Sequence, residues 1–417
     1  MTKRTFVRSA RAVVSPFGSE RGVALPMALL SLVIVSALIA GFSVLSAIEP
    51  TIANNQLAVA QARALAEAGV ERALWALSNP ADGQGIPATF TTPPSPYDGG
   101  RLVPVAAGGH PVGGFRVTVT NGSTAYERWI TAVGFVPDDT TAGRRALRKI
   151  TVTALNPQLI VKDPPAALSV RGELRAGGTL RVDSRTDGSC GPKVGTLARG
   201  ETSLEDAAAD IRGANGDGTA RNRITDAAGG LIPAAPGDIV KNASGAVFDG
   251  FSLSDADLSA LRAFAKARGT YLQGAVRFGA GNRMPDGIIV VDAVGGDGVH
   301  PSDLASVAID AGAPADPSGV WRGWLIVNGS LAVDGEVRLR GFVYAQSTLD
   351  ARAAGAVELS GALVSRNIQD VPGAGIDTGA AADLSIVYNC RDALTGGGKI
   401  PGRWSVKGGS YREVSGS

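Results

Sequence analysis

The stretch Arg21–Pro50, RGVALPMALLSLVIVSALIAGFSVLSAIEP, decides how this chain is read. From Val23 to Ile48 it carries no charge. As a helix that run spans about 39 Å, more than the roughly 30 Å of a bilayer's hydrocarbon core. A secretory signal has an apolar region of only about 7–15 residues followed by a small-x-small cleavage site. Here the run is longer, and near its end it holds only the poor pair Val44 and Ser46. Residues 23–48 are therefore read as the transmembrane half of an N-terminal helix.

Working outward, residues 1–22 form a basic leader with Lys3, Arg4, Arg8, Arg11 and Arg21 against one acid, Glu20. Positive charge stays inside, which predicts a cytoplasmic N-terminus, a single pass and an extracytoplasmic bulk. Beyond the apolar run, residues 49–78 continue as an amphipathic half. Leu57, Gln61, Ala64, Leu65, Ala68, Leu74 and Leu77 fall at three- and four-residue steps until Asn79-Pro80 stops the pattern. Gly41 and Pro50 are the expected bend points.

This N-terminus resembles that of type IV pilin-like proteins, in particular PilX-type minor pilins and the related K-type pseudopilins. The residues that carry the likeness are the leader ending in Arg21-Gly22, the run VALPMALLSLVIVSAL, and the Ala-rich Ala62–Leu74. The resemblance implies a prepilin peptidase cut between Gly22 and Val23, other pilins and the inner membrane as partners, and extraction into a pilus. Most such proteins have Glu at the fifth mature position, where this chain has Met27. A subunit without that carboxylate cannot neutralise a neighbour's terminal amine, which implies filament initiation or a tip place. A generic anchor that is never cleaved is the other reading of the segment.

Composition sets the limits for the rest. A chain of 417 residues, 44% hydrophobic, is long enough for two or three domains. The net charge of +2, from 40 basic and 38 acidic residues, supplies no field for nucleic acid. With 56 glycines and only 5% aromatics, tight turns and thin regular packing are expected, hence turn-rich β structure. The two cysteines, Cys190 and Cys390, are a candidate disulfide on the far side of a membrane, or two unrelated thiols.

Residues 79–156 read as a pilin-like antiparallel region. A Pro- and Gly-rich surface loop over 79–111 precedes three strand-like runs, Phe115–Thr120, Arg128–Val136 and Arg145–Leu155. Asn156-Pro157 and Asp163-Pro164-Pro165 mark a boundary. Over 157–417 glycines recur at a spacing of six, at Gly323, Gly329, Gly335 and Gly341, then at Gly355 and Gly361, with an earlier fragment at Gly172 and Gly178. Apolar triplets recur about every 18–20 residues, which fits a β-helix-like domain; an antiparallel sandwich is the alternative. Residues 185–285 read as an insertion holding one helix, with Ser254 as N-cap and Gly269 as stop. The Gly-spaced region behind such an N-terminus resembles PilX-domain pilus assembly proteins. The expected class is thus α+β, a long N-terminal helix on a small antiparallel sheet followed by a mainly β body.

Motifs for catalysis do not occur. His110 and His300 each precede proline in loop-like sequence, and there is no HExxH, CxxC, GxSxG or Walker loop. The Asn215–Gly218 and Asp292–Asp297 clusters do not match a full calcium loop and read as polar turns. No cofactor, metal or catalytic residue is therefore expected. The reading is a non-enzymatic minor pilin acting in filament initiation, tip assembly or adhesion. The alternative is a permanently anchored surface protein that binds or cuts polysaccharide with Asp334, Glu336, Arg338, Arg340, Asp350 and Glu358.

Overall fold

The computed structural model describes residues 24–140, 145–176, 179–185, 187–204, 208–214, 219–296, 303–347, 349–351, 356–367, 378–380 and 384–414. Helix α1 (Ala24–Ser78) is continuous through both Gly41 and Pro50. Pro80 ends it, because the residue before a proline is pushed out of the helical region. The Asn79 side-chain amide donates back to the Trp75 carbonyl at 2.7 Å.

The far half of α1 lies on an antiparallel sheet of β1 (Val103–Ala107), β2 (His110–Asn121), β3 (Glu127–Val136) and β4 (Ala146–Leu155), each paired with the next. Ala62, Leu65, Ala66, Val70, Ala73, Leu74 and Leu77 are buried on the helix, facing Phe115, Val117, Val119, Ile130, Ala132, Ile150 and Val152 of the sheet. Strand alternation puts these sheet residues on one face, and the opposite face carries Arg116, Thr118, Thr131, Lys149 and the exposed Trp129. Gly134 permits the close approach: a Cβ there would lie 2.0 Å from the Ala62 carbonyl oxygen. The buried stripe on α1 differs in part from the one its sequence predicts, since Leu57, Ala64 and Ala68 are exposed. With so many alanines the sequence period does not pin the phase, and in the fold the face carrying Ala62 and Ala66 is the one that meets Gly134.

Two corrections concern this region. Residues 79–111 are not wholly loop, because Val103–Ala107 pairs with His110–Phe115 through a Gly108-Gly109 turn. Pro104 concealed that strand, although proline is tolerated at a sheet edge. The stretch expected as one β body also does not keep to itself as far as the C-terminus, since two strands from the tail, named below, pair with β4.

The body begins with β5 (Ala166–Val170), β6 (Leu174–Ala176), β7 (Arg181–Asp183), β8 (Val194–Ala198), β9 (Thr202–Leu204), β10 (Asp210–Arg212), β11 (Ile224–Asp226) and β12 (Ile239–Lys241). Two helices follow, α2 (Gly245–Asp249) and α3 (Asp255–Arg268). Then come β13 (Tyr271–Gln273), β14 (Ala275–Phe278), β15 (Gly287–Asp292), β16 (Ala305–Ile309), β17 (Val320–Val327), β18 (Gly329–Val333), β19 (Val337–Ala345), β20 (Leu349–Ala351), β21 (Val357–Ser365), β22 (Thr378–Ala380) and β23 (Leu384–Tyr388). The chain closes with α4 (Cys390–Thr395), β24 (Ser405–Val406) and β25 (Arg412–Val414).

Among the described residues, every strand pairing within β5–β23 is parallel. One sheet runs β11-β12-β8-β5-β21-β19-β17-β15-β13 and the other β14-β16-β18-β20-β22-β6-β9. The chain therefore starts mid-stack at β5 and moves outward through β8 to the edge strand β11, with β12 filling the place between them. It crosses through α2 and α3 to the far end at β13, then returns until β21 docks on β5 and β22 on β6. Residues 185–285 are accordingly not a plain insertion, since β8 to β12 extend the same sheets; their short strands lack the glycine spacing that marks the others.

Glycines form a register column in the longer strands, Gly287, Gly323, Gly341 and Gly361. Gly341 and Gly361 have φ of +150° and +139°, and a Cβ on either would lie 1.7 or 1.9 Å from the preceding rung's carbonyl oxygen. The steps between these glycines, one rung each, are the physical origin of the repeat seen in the sequence. Gly178 and Gly355 of the expected spacing lie outside the described residues. In the next register position Trp324, Phe342 and Ala362 are aligned and buried. α3 begins with a capping box, Ser254 with Asp257, and stops at Gly269 at φ +71°, as its sequence predicts.

Candidate functional site

The apolar half of α1 is the most distinctive surface. From Leu25 to Ile48 its large apolar side chains are exposed, Met27 at 67% and Phe42 at 66%. Residues 24–48 make a helix of about 37 Å, enough to cross a bilayer core. A contiguous exposed apolar surface of this size marks a face for lipid or for another protein. The basic leader, with the expected cleavage pair Gly22 and Val23, lies outside the described residues.

The other half is fixed to the sheet and the C-terminal tail. Trp404 is buried beside α1 and its backbone N–H donates to Ser78 Oγ at 3.0 Å. β24 pairs with Leu155 and Ala154, and β25 with Thr151, Ile150 and Lys149. Glu413 receives Arg63 at 3.6 Å and Arg148 at 3.4 Å, while Tyr411 Oη donates to Glu67 at 3.2 Å. These solvent-facing pairs align the tail and contribute little energy individually.

Cys190 and Cys390 lie side by side across a sequence separation of 200, with Cα atoms 5.8 Å apart, within the reach of a disulfide. The pair brings the loop after β7 beside the start of α4, where the Cys390 N–H donates to Asp187 at 2.8 Å. Tyr388, two residues before Cys390, ends β23, which pairs with β7. Burial raises its pKa above the usual phenol range, and Asp163 adds to the effect.

The charged face of the repeats is self-paired. Arg338 sits opposite Glu358 in register at 3.3 Å and near Glu336 at 3.7 Å. Arg340 reaches Asp392 at 3.0 Å, and Ser360 donates to the same oxygen at 2.6 Å. Asp334 has a partner, and the side chain of Asp350 is outside the described residues. His110 is exposed at the turn into β2, whereas His300, Asn215–Gly218 and Asp297 lie outside the described residues. No group of three His, Cys, Asp or Glu suited to a metal occurs among the described residues.

Sequence reasoning missed a cavity of about 520 Å³ where the antiparallel sheet meets the body. Its walls are the turn before β3, residues 159–162, the α2–α3 junction and Arg366. Thr124 Oγ1, Tyr126 Oη and Arg366 Nε are buried at this wall, and Tyr126 Oη faces the Thr124 hydroxyl and the Asp257 carboxylate. Asp257 Oδ2 is committed to the Ser254 N–H and hydroxyl at 2.9 and 2.8 Å. Burial, then the nearby Asp257 carboxylate, pushes Tyr126 above the usual phenol range. The junction is held to the body by Tyr344 Oη, which accepts from the Leu253 N–H at 3.2 Å, and by the buried Arg262–Asp292 pair at 2.7 and 3.2 Å. No short motif encodes a cavity whose walls come from four separate stretches of chain.

No protein-family model matches the chain, and no curated protein matches it. Among solved structures it is similar to the competence-associated pilin ComZ from Thermus thermophilus, at 14% identity and a TM-score of 0.23, over 86% of this chain and 98% of that one. At that score the likeness carries no argument, and the functional reading rests on the geometry of this chain.

Proposed function

We propose that the chain is a non-enzymatic, pilin-like subunit of a type IV pilus or related pseudopilus. Its apolar half-helix is held in the membrane until assembly, and its β body is displayed outside. The observation that carries this reading is the division of α1: one half is exposed and apolar, and the other is clamped on an antiparallel sheet. Such a helix anchors a headgroup in lipid and can exchange lipid for neighbouring helices without unfolding that headgroup.

The finer parts of the proposal come from the resemblance. Gly22 is the cleavage position and Val23 the new N-terminus, prepilin peptidase and other pilins are partners, and Met27 in place of a carboxylate points to initiation or the tip. The parallel two-sheet body is read as a β-helix that presents a surface for adhesion. The Cys190–Cys390 bridge fits an extracytoplasmic location. Mass spectrometry of the chain from cells with and without prepilin peptidase tests the reading. A mature form beginning at Val23 only when the peptidase is active is expected; full-length chain alone in both would overturn it.

A further inference from the structure

We propose that the cavity between the antiparallel sheet and the parallel body binds a neutral, polyhydroxylated ligand of mono- or disaccharide size. Its volume of about 520 Å³ lies within the range of small-molecule sites, about 300–1,000 Å³. Two buried hydroxyls, Thr124 Oγ1 and Tyr126 Oη, stand together on its wall beside the Asp257 carboxylate, and Tyr126 is 6% exposed. Hydroxyls and a carboxylate clustered on one wall offer both donors and acceptors to a ligand.

The walls choose the ligand class. The α3 N-terminus contributes Asp255 and Asp257, which disfavour an anion. Lys162 and Arg366, in the same lining, disfavour a cation. A neutral molecule carrying both donors and acceptors can bond to the hydroxyls, to the carboxylates and to the buried Arg366 Nε–H. Leu159 and Leu253 supply apolar patches for the C–H face of a sugar ring. The rigidity comes from the anchored junction, with Tyr344 and the Arg262–Asp292 pair behind it. This site is independent of the membrane reading, since all its walls lie beyond residue 123.

The test uses the full chain in a detergent without a sugar headgroup, probed with glucose, galactose, N-acetylglucosamine and maltose by saturation-transfer NMR and calorimetry. At least one should bind at one site per chain. Tyr126→Phe and Thr124→Val should each weaken that binding tenfold or more, because each removes a hydroxyl from the wall, while circular dichroism and thermal unfolding show that the variant chain remains folded. Thr131→Val, on the outer sheet face, should leave it unchanged. Absence of binding by all four sugars, binding indifferent to both variants, or occupation of the cavity by inorganic phosphate or magnesium instead would overturn the proposal.

Discussion

The Arg128 guanidinium lies over the Trp404 ring at 5.0 Å, joining β3 to the C-terminal tail. Arg128 also donates to the Ala88 carbonyl at 2.9 Å and to the Ala125 and Glu127 carbonyls at 3.0 and 2.8 Å, so it gathers the long loop after α1, the sheet and the tail. Burial lowers its pKa, yet a guanidinium stays charged in the physiological range.

Trp404→Ala is expected to destabilise the headgroup by about 3–5 kcal/mol, the usual cost of deleting a buried tryptophan. Trp129→Ala, at a side chain 51% exposed on the outer sheet face, should cost well under half of that. Thermal or urea unfolding of the two variants side by side checks the difference.

Gly134→Ala should loosen the far half of α1, because the new Cβ would fall 2.0 Å from the Ala62 oxygen and 2.6 Å from the Ala66 nitrogen. Overpacking of this kind costs about 1–3 kcal/mol or more. Gly83→Ala has nothing within 4 Å and is the matched control. Hydrogen exchange over residues 62–77 should accelerate in the first variant alone.

Gly341→Ala is expected to disrupt the parallel body. Its Cβ would lie 1.7 Å from the Gly323 oxygen, at a φ of +150°. A conformational penalty of about 1–3 kcal/mol adds to the clash. Hydrogen exchange should accelerate across β17, β19 and β21 and change far less in β2 and β3.

Asp238 is buried and accepts from Gly213 N–H at 2.7 Å and from the Arg223 backbone and guanidinium at 3.0–3.2 Å. Burial opposes its ionisation, but the Arg223 pair and the two backbone donors outweigh it and hold the pKa below the usual carboxylate range. A depressed folded value means the stabilisation is present above the unfolded pKa of about 3.9 and is lost as pH falls toward the folded one. Asp238→Asn should therefore reduce stability at neutral pH and flatten the acid limb of a stability profile below about pH 4.

Cys190→Ser should leave Cys390 free to alkylate and lower stability by about 2–4 kcal/mol, as loss of a bridge closing a long loop does. Mass spectrometry of alkylated, unreduced protein counts the thiols; two free thiols in the native chain would contradict the bridge.

Much of this molecule was legible in the sequence. The uncharged run Val23–Ile48 reads as a long apolar helix because its length and lack of charge are local properties. The alternation over β3 and β4, the Ser254–Asp257 cap and the glycine steps at Gly323, Gly341 and Gly361 are local too, each being a geometric requirement written at a single position or short spacing. What tertiary structure alone decided is everything that depends on which distant segments meet. The phase of α1 appears only in its packing on the sheet, where Ala62 and Ala66 meet Gly134. The edge role of Val103–Ala107, the return of the tail to β4 and the membership of residues 194–241 in the parallel sheets were set by pairing partners, most of them far away in sequence. The docking of β21 on β5 closes a stack begun at the start of the body, and the cavity at Tyr126 exists only because that closure brings Arg366 and the α2–α3 junction beside the sheet. Periodicity specifies which face a segment buries, whereas the partner that covers it is chosen by the energy of the whole packed arrangement.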